Sequence, residues 1–136
     1  MSYIADSVIN QVLEAVIELM NNTQPFATVT RGALPTGYGI TCEIAPSRPS
    51  EVYLDKNTYT PIDFTINGKH ANLLTLSDAM NKIHSQLTRA TTYPSADRWQ
   101  IVDISNYTLP QIIGREGNNE WLMASSLSVK VYQKGD

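Results

Sequence analysis

The strongest constraint on the fold of this chain is a pair of helix-type apolar patterns separated by strand-type stretches. From Ile4 to Met20, apolar residues recur about every 3.6 positions, and Glu14 and Glu18 lie on the opposite face. We therefore expect an amphipathic helix that ends before Pro25. The second pattern forms one stripe on a helix that runs to about residue 89. The residues of that stripe are Leu73, Leu76, Met80, Ile83 and Leu87.

The stretches outside these patterns are typical of β-strands. Short strands are expected at 26–30, 40–44, 51–54 and 99–104, with longer alternating ones at 59–66 and 121–132. Pro61 should occupy an edge or bulge position, because proline cannot donate a ladder hydrogen bond. Asn67-Gly68 predicts a turn that ends its strand.

The order of these elements predicts an α+β fold. Short connections favour a mainly antiparallel sheet, and the two helices would cover its apolar face in a two-layer sandwich. A chain of 136 residues fits one domain, so we expect a single α+β domain over residues 1–136. The predicted core comprises Ile62, Phe64, Ile66, Met80, Ile83, Leu87, Val129 and Val131.

Charge and composition argue against several function classes. The net charge is −3 and the ten Lys and Arg residues are scattered, so we expect no sequence-specific binding of nucleic acid. We also expect no signal peptide and no membrane span, because the N-terminus lacks a basic region and no apolar run approaches about 20 residues. Cys42 is the only cysteine, which we expect to be a small buried residue in a reducing compartment.

No motif for catalysis, metal or cofactor binding is recognisable. His70 and His84 have no metal-ligand spacing, and we expect both to be solvated or capping residues. No serine lies in a nucleophile elbow, and nothing lowers the pKa of Cys42. The glycine-rich stretch at 31–39 leads into a strand, whereas a phosphate-binding loop leads into a helix. We expect no enzyme activity and no cofactor.

Residues 105–120 are expected to form a long loop between two strands. Loops of this length inside a compact domain are usually functional or disordered. The apolar residues Leu109, Ile112 and Ile113 argue that this one is docked, and packing on its own subunit or on a neighbour are both open. Arg115 is either an oriented contact or a solvated loop residue.

Several segments resemble the minor capsid protein family of phages that infect Gram-positive bacteria, and tail terminators more broadly. They are TRGALPTG at 30–37, INGKH at 66–70, YPS at 93–95, WQI at 99–101 and GREGNNEW at 114–121. The resemblance implies a non-enzymatic virion protein at the head-tail junction, made in the host cytoplasm. It also implies a ring of six copies, with tail-tube and head-connector proteins as partners.

A ring needs two different patches on each subunit. We expect them at the turn of residues 31–39 and in the segment 105–120, with contacts from Arg31, Leu34, Tyr38, Leu109, Ile112, Ile113, Arg115 and Glu116. The alternative is a small enzyme or ligand-binding domain with its site between the sheet and the glycine-rich turn.

Overall fold

The computed structural model describes residues 6–32, 34, 38–45, 51–52, 58–116 and 119–133. It confirms the α+β class. The elements are α1 (Asp6–Asn21), β1 (Val29–Arg31), β2 (Gly39–Ile44), β3 (Glu51–Val52), β4 (Thr58–His70), α2 (Leu73–Thr88), β5 (Ser95–Ala96), β6 (Trp99–Glu116) and β7 (Glu120–Gln133).

The described strands form one mixed, seven-stranded sheet in the order β1-β2-β4-β7-β6-β5, with β3 paired to β4. β1 and β2 are parallel, and the other pairs are antiparallel. The long strands β4 and β7 pair from Thr58↔Gln133 to His70↔Trp121 and form the centre. The strands β1 and β5 lie at the two sides of the sheet.

Both predicted helices are present. Asn72 caps the N-terminus of α2, where its side chain accepts a hydrogen bond from the Thr75 amide at 3.1 Å. At the end of α1, the Asn21 side chain accepts from the Val29 amide at 2.7 Å and donates to the Val29 carbonyl at 3.3 Å. This pair of bonds fixes where β1 starts, so the strand expected at 26–30 is only Val29–Arg31.

The helices and one face of the sheet share a single hydrophobic core. Cys42 is buried in it, as expected. α2 packs against β4, β6 and β7, and α1 packs against α2, β1 and β2. All eight predicted core residues are buried, which confirms that both the helix stripe and the strand faces were assigned correctly; these are Ile62, Phe64, Ile66, Met80, Ile83, Leu87, Val129 and Val131.

Gly68 does not end a strand, and the turn predicted at Asn67-Gly68 is wrong. β4 continues through it to His70. A Cβ atom at position 68 would lie 2.7 Å from Leu76 Cδ1 and 2.9 Å from Met80 Sδ. The glycine is therefore present because α2 lies directly against the strand.

Pro61 lies in a gap on one side of β4, in agreement with the predicted edge position. On that side the pairing with β3 ends at Tyr59 and the pairing with β2 begins at Phe64. Among the described strands, therefore, none has a backbone carbonyl that would need a hydrogen bond from the amide of residue 61, which proline lacks.

The loop predicted at residues 105–120 is wrong, because this segment belongs to a long β-hairpin. β6 pairs with β7 from Trp99↔Gln133 to Glu116↔Glu120, and the register shifts four times along the way. Each shift marks a β-bulge or irregularity, where extra residues of β6 interrupt the inward and outward alternation. That interruption hid the strand pattern in the sequence.

Candidate functional site

Beyond its first three residues, β6 carries exposed apolar side chains along an open edge of the sheet, and among the described side chains of that part only Ile104 is buried in the core. We call residues 102–115 of β6 the arm. β5 pairs only with Trp99 and Gln100, and beyond these no other described strand covers the outer edge of β6. Leu109 is 59% exposed and Ile113 is 60% exposed. The exposed large apolar residues of the arm are Val102, Tyr107, Leu109, Ile112 and Ile113.

The arm is also free of charge over most of its length. Between Asp103 and Arg115, residues 104–114 include no Asp, Glu, Lys or Arg. An exposed apolar patch without charges is characteristic of a surface that becomes buried against another molecule. The predicted contact residues Leu109, Ile112 and Ile113 therefore lie on a strand surface open to solvent.

Arg115 is held in place at the tip of the hairpin. Its guanidinium lies 4.4 Å from the ring centre of Trp121, and its Nη2 donates a hydrogen bond to Asn119 Oδ1 at 3.3 Å. Asn119 has a φ of 64°, a conformation that asparagine tolerates. Arg115 is thus an oriented residue of a strand. Glu116 is the last residue of β6, and its side chain lies outside the described part.

The predicted contact residues near the glycine-rich turn lie on the far side of the sheet. Arg31 ends β1 and is exposed, and Leu34 is half-buried. Tyr38 stacks on His70 with ring centres 4.1 Å apart, and Phe26 meets His70 edge-on at 4.8 Å. Three strands, β2, β4 and β7, separate Arg31 from the arm, whereas Tyr38 contacts the last residue of β4 and only β7 lies between that residue and the arm.

His70 has the capping role expected for it. Its Nδ1 accepts a hydrogen bond from the amide of Asn72, the residue that caps α2, at 2.8 Å. The ring therefore links the end of β4 to the start of α2 and supports the stacked Tyr38.

A cleft of about 370 Å³ lies between α2 and the segment that joins α1 to β1. No sequence pattern indicated this cleft, because its walls come from segments about 50 residues apart in the chain. Phe26 also contacts His70, so the cleft adjoins the Tyr38 patch. Its lining includes Pro25, Phe26, Asp78, Ala79 and Lys82.

His84 is buried, and the expectation of a solvated or capping residue is wrong for it. The side chain is 3% exposed. Its Nδ1 lies 2.8 Å from Asn106 Oδ1, and its Nε2 lies 2.7 Å from Ser125 Oγ. With the carbonyl oxygen of Asn106 as acceptor, Nδ1 carries the hydrogen and Nε2 accepts from the serine hydroxyl. Burial lowers the pKa of His84, and the Asn106 hydrogen bond offsets part of that effect.

The Ser125, His84 and Asn106 side chains are ordered like a nucleophile, its base and an orienting residue. Their location argues for a structural role, because Ser125 is only 3% exposed and does not line the cleft. A nucleophile has to reach its substrate. The network joins α2 to both strands of the hairpin near the middle of its length.

Other reactive groups are equally enclosed or dispersed. Burial, with Glu43 nearby, raises the pKa of Cys42 to about 12, so its thiol stays protonated at neutral pH. Within the described residues, no three His, Cys, Asp or Glu side chains are grouped so that they would hold a metal ion. The helices in that part of the chain are too short or too polar to cross a membrane.

No family model and no curated protein sequence matches this chain. A solved structure described as the virion of a native gene transfer agent particle contains a chain with a similar fold. The TM-score is 0.66 and the sequence identity is 12%, and the match covers 94% of this chain and 99% of that chain. At this identity the likeness shows a shared fold over nearly the whole length of both chains.

Proposed function

We propose that this chain is a structural, non-enzymatic subunit of a phage-like virion, most simply a tail terminator or tail-completion protein. The observation that carries the proposal is the full-length fold match to a chain of a virion particle. In this view residues 1–136 form one domain, a two-layer sandwich of the tail-terminator type. The chain is made in the host cytoplasm and ends in the virion. The sequence segments that resemble the minor capsid protein family support membership of that family and a Gram-positive host, and both belong to the proposal.

The subunit acts as a ring on the tail tube, with six copies by resemblance to tail terminators. Support comes from the position of Arg31 in the edge strand β1 and of the arm toward the opposite edge of the sheet. A closed ring uses heterologous contacts, in which one patch meets a different patch of the next subunit. The tail tube and the head connector are the proposed neighbours of the ring.

Deletion of the gene in its phage or phage-like element tests this proposal directly. Electron microscopy should then show tails of abnormal length or tails separated from heads, and the wild-type gene supplied in trans should restore normal particles. Normal particles without the gene product would contradict the proposal. A ligand-dependent rise in melting temperature, with normal particles, would instead favour the ligand-binding alternative.

A variant with three arm substitutions refines the test. Arg115→Ala combined with Ile112→Ser and Ile113→Ser should fold stably, because all three side chains are exposed, and should fail to restore particles. Glu14→Ser is the matched control, since Glu14 is exposed on α1 and belongs to neither the arm nor the cleft lining. If the triple variant restores particles as well as Glu14→Ser does, the arm is not an assembly surface.

A further inference from the structure

We propose that the cleft between α2 and residues 23–26 receives the arm of a second copy of this chain. The inference rests on the proposed ring and names the contact that builds it. It also adds Pro25, Phe26, Asp78, Ala79 and Lys82 to the contact residues.

The arm and the cleft lie on opposite sides of α2. The buried stripe of this helix faces the sheet, and His84 on one side of the stripe bonds Asn106 of β6. Thr75, Ala79 and Lys82 lie on the other side and line the cleft. A subunit placed beside the arm can therefore turn its cleft toward it, and the same contact repeats from each copy to the next.

The two surfaces also lie near the same end of the sheet. Arg115 pairs with Trp121, which pairs with His70, and the ring of His70 contacts Phe26 in the cleft. In a ring whose axis runs along the strands, rotation would keep this level, and the tip of one arm would meet the cleft of the next copy without a shift along the axis.

Size and polarity match as well. A cavity of about 150 Å³ holds a benzene molecule in a protein core, so a cleft of about 370 Å³ has room for the side chains of Ile112 and Ile113. The lining combines three apolar residues with three uncharged polar ones, so it can pack against a segment that mixes isoleucine side chains with Gln111. These are Pro25, Phe26 and Ala79, and Thr23, Gln24 and Thr75.

Charges at the edges of the two surfaces are complementary. The arm ends with Arg115, and β7 starts beside it with Glu120, whereas the cleft carries Asp78 and Lys82 one helical turn apart. An Arg115–Asp78 contact and a Glu120–Lys82 contact would fix the direction in which the arm enters, because opposite charges set register across an interface.

Cysteine cross-linking of the purified full-length chain tests the contact. A variant with both Ile113→Cys and Ala79→Cys, treated with a short bis-maleimide, should give a ladder of dimers, trimers and higher oligomers. The native Cys42 should stay unmodified, because it is buried and its pKa is about 12. An equal mixture of the two single variants should stop at dimers, since each pair then has one reactive contact.

The matched control replaces the cleft cysteine with Asn81→Cys, an exposed position on the face of α2 away from the cleft. A ladder no stronger than that of the Ile113→Cys and Asn81→Cys control would overturn the proposal. Dimers formed by Ile113→Cys alone would overturn it too, because they would show that arms meet arms.

Charge reversal tests the direction of entry in the same assay. Arg115→Asp or Asp78→Arg alone should lower the ladder yield by about fivefold, the upper range for an exposed ion pair. Both changes together should restore it. No recovery in the double variant would contradict the paired contact.

The outcomes separate this inference from the function on which it rests. If particles need the gene product but no arm-to-cleft cross-link forms, the contact is wrong and the virion role stands. If the cross-link forms but particles are normal without the gene product, the contact stands and the virion role is wrong.

Discussion

β7 and β6 lie side by side in one hairpin, but they are built in different ways. β7 keeps a regular alternation in which every second residue from Met123 to Val131 is buried. β6 is buried only near its base, at Trp99, Ile101 and Ile104, and then continues with shifting register and exposed apolar side chains. The boundary lies at Asn106, the residue held by His84 of α2. Where α2 covers the hairpin, the apolar side chains of β6 pack in the core. Beyond Asn106 the apolar side chains are exposed and can contact another molecule.

The largest loss of stability is expected from a substitution in the buried face of β7. Leu127 is fully buried, so Leu127→Ala should lower the free energy of unfolding by about 2–5 kcal/mol. Leu87→Ala in α2 should fall in the same range, because it removes a side chain from the same core. Urea denaturation monitored by tryptophan fluorescence measures both. An unchanged midpoint for either variant would mean that its side chain does not face the core.

A smaller effect is expected where the two strands meet α2. Ser125→Ala removes the hydroxyl that donates to His84 Nε2 and leaves a buried acceptor unsatisfied, which costs about 1–3 kcal/mol. The neighbouring Ser126→Ala is the control, because Ser126 points to the other face and should change stability by about 0.5 kcal/mol or less. Equal losses from the two substitutions would rule out a specific role for the network.

The same network makes stability depend on pH. The folded-state pKa of His84 lies below its ordinary value of 6.5, mainly because of burial. The stabilisation is therefore complete above pH 6.5 and is lost as the pH falls through the folded-state pKa, because the unfolded chain binds the proton more readily. Urea midpoints measured from about pH 8 to about pH 5 should show this loss of stability at acid pH, called the acid loss below.

Two histidine variants identify the source of that pH dependence. His84→Gln should reduce the acid loss, whereas His70→Gln should leave it in place, because His70 is half-exposed and lies outside the network. If both variants keep the full acid loss, another group is responsible.

The smallest effect on stability is expected in the arm. Leu109→Ala is the same chemical change as Leu127→Ala, but Leu109 is 59% exposed. The free energy of unfolding should therefore change by about 0.5 kcal/mol or less. A loss near that of Leu127→Ala would show that the arm packs on its own subunit and would remove the difference between the two strands.

The sequence predicted the elements whose periodicity is unbroken. α2 and β7 follow their 3.6-residue and two-residue patterns, so their buried faces could be read directly. β6 could not, because bulges shift which face its side chains occupy. Gly68 was mistaken for a turn residue, because glycine is required there by α2, which packs back onto the strand only in the folded protein.

Some of the candidate contact residues were also predictable from the sequence. Leu109, Ile112 and Ile113 stood out as apolar residues without a helix or strand period, and the structure places them on the surface. Their role in assembly stays a prediction. The cleft and the His84 network were not predictable, because each joins segments that only tertiary packing brings together.

The register shifts of β6 have a consequence for the time before assembly. A long apolar edge strand is a hazard in a concentrated cytoplasm, because another chain can add to it as a further strand and begin an open-ended aggregate. Four interruptions leave no long stretch of evenly spaced amide and carbonyl groups for such a chain to copy. Backbone pairing along the arm is thereby disfavoured while its side chains stay available. The arm is thus less open to runaway strand addition, and it keeps the side chains that the proposed closed assembly would use.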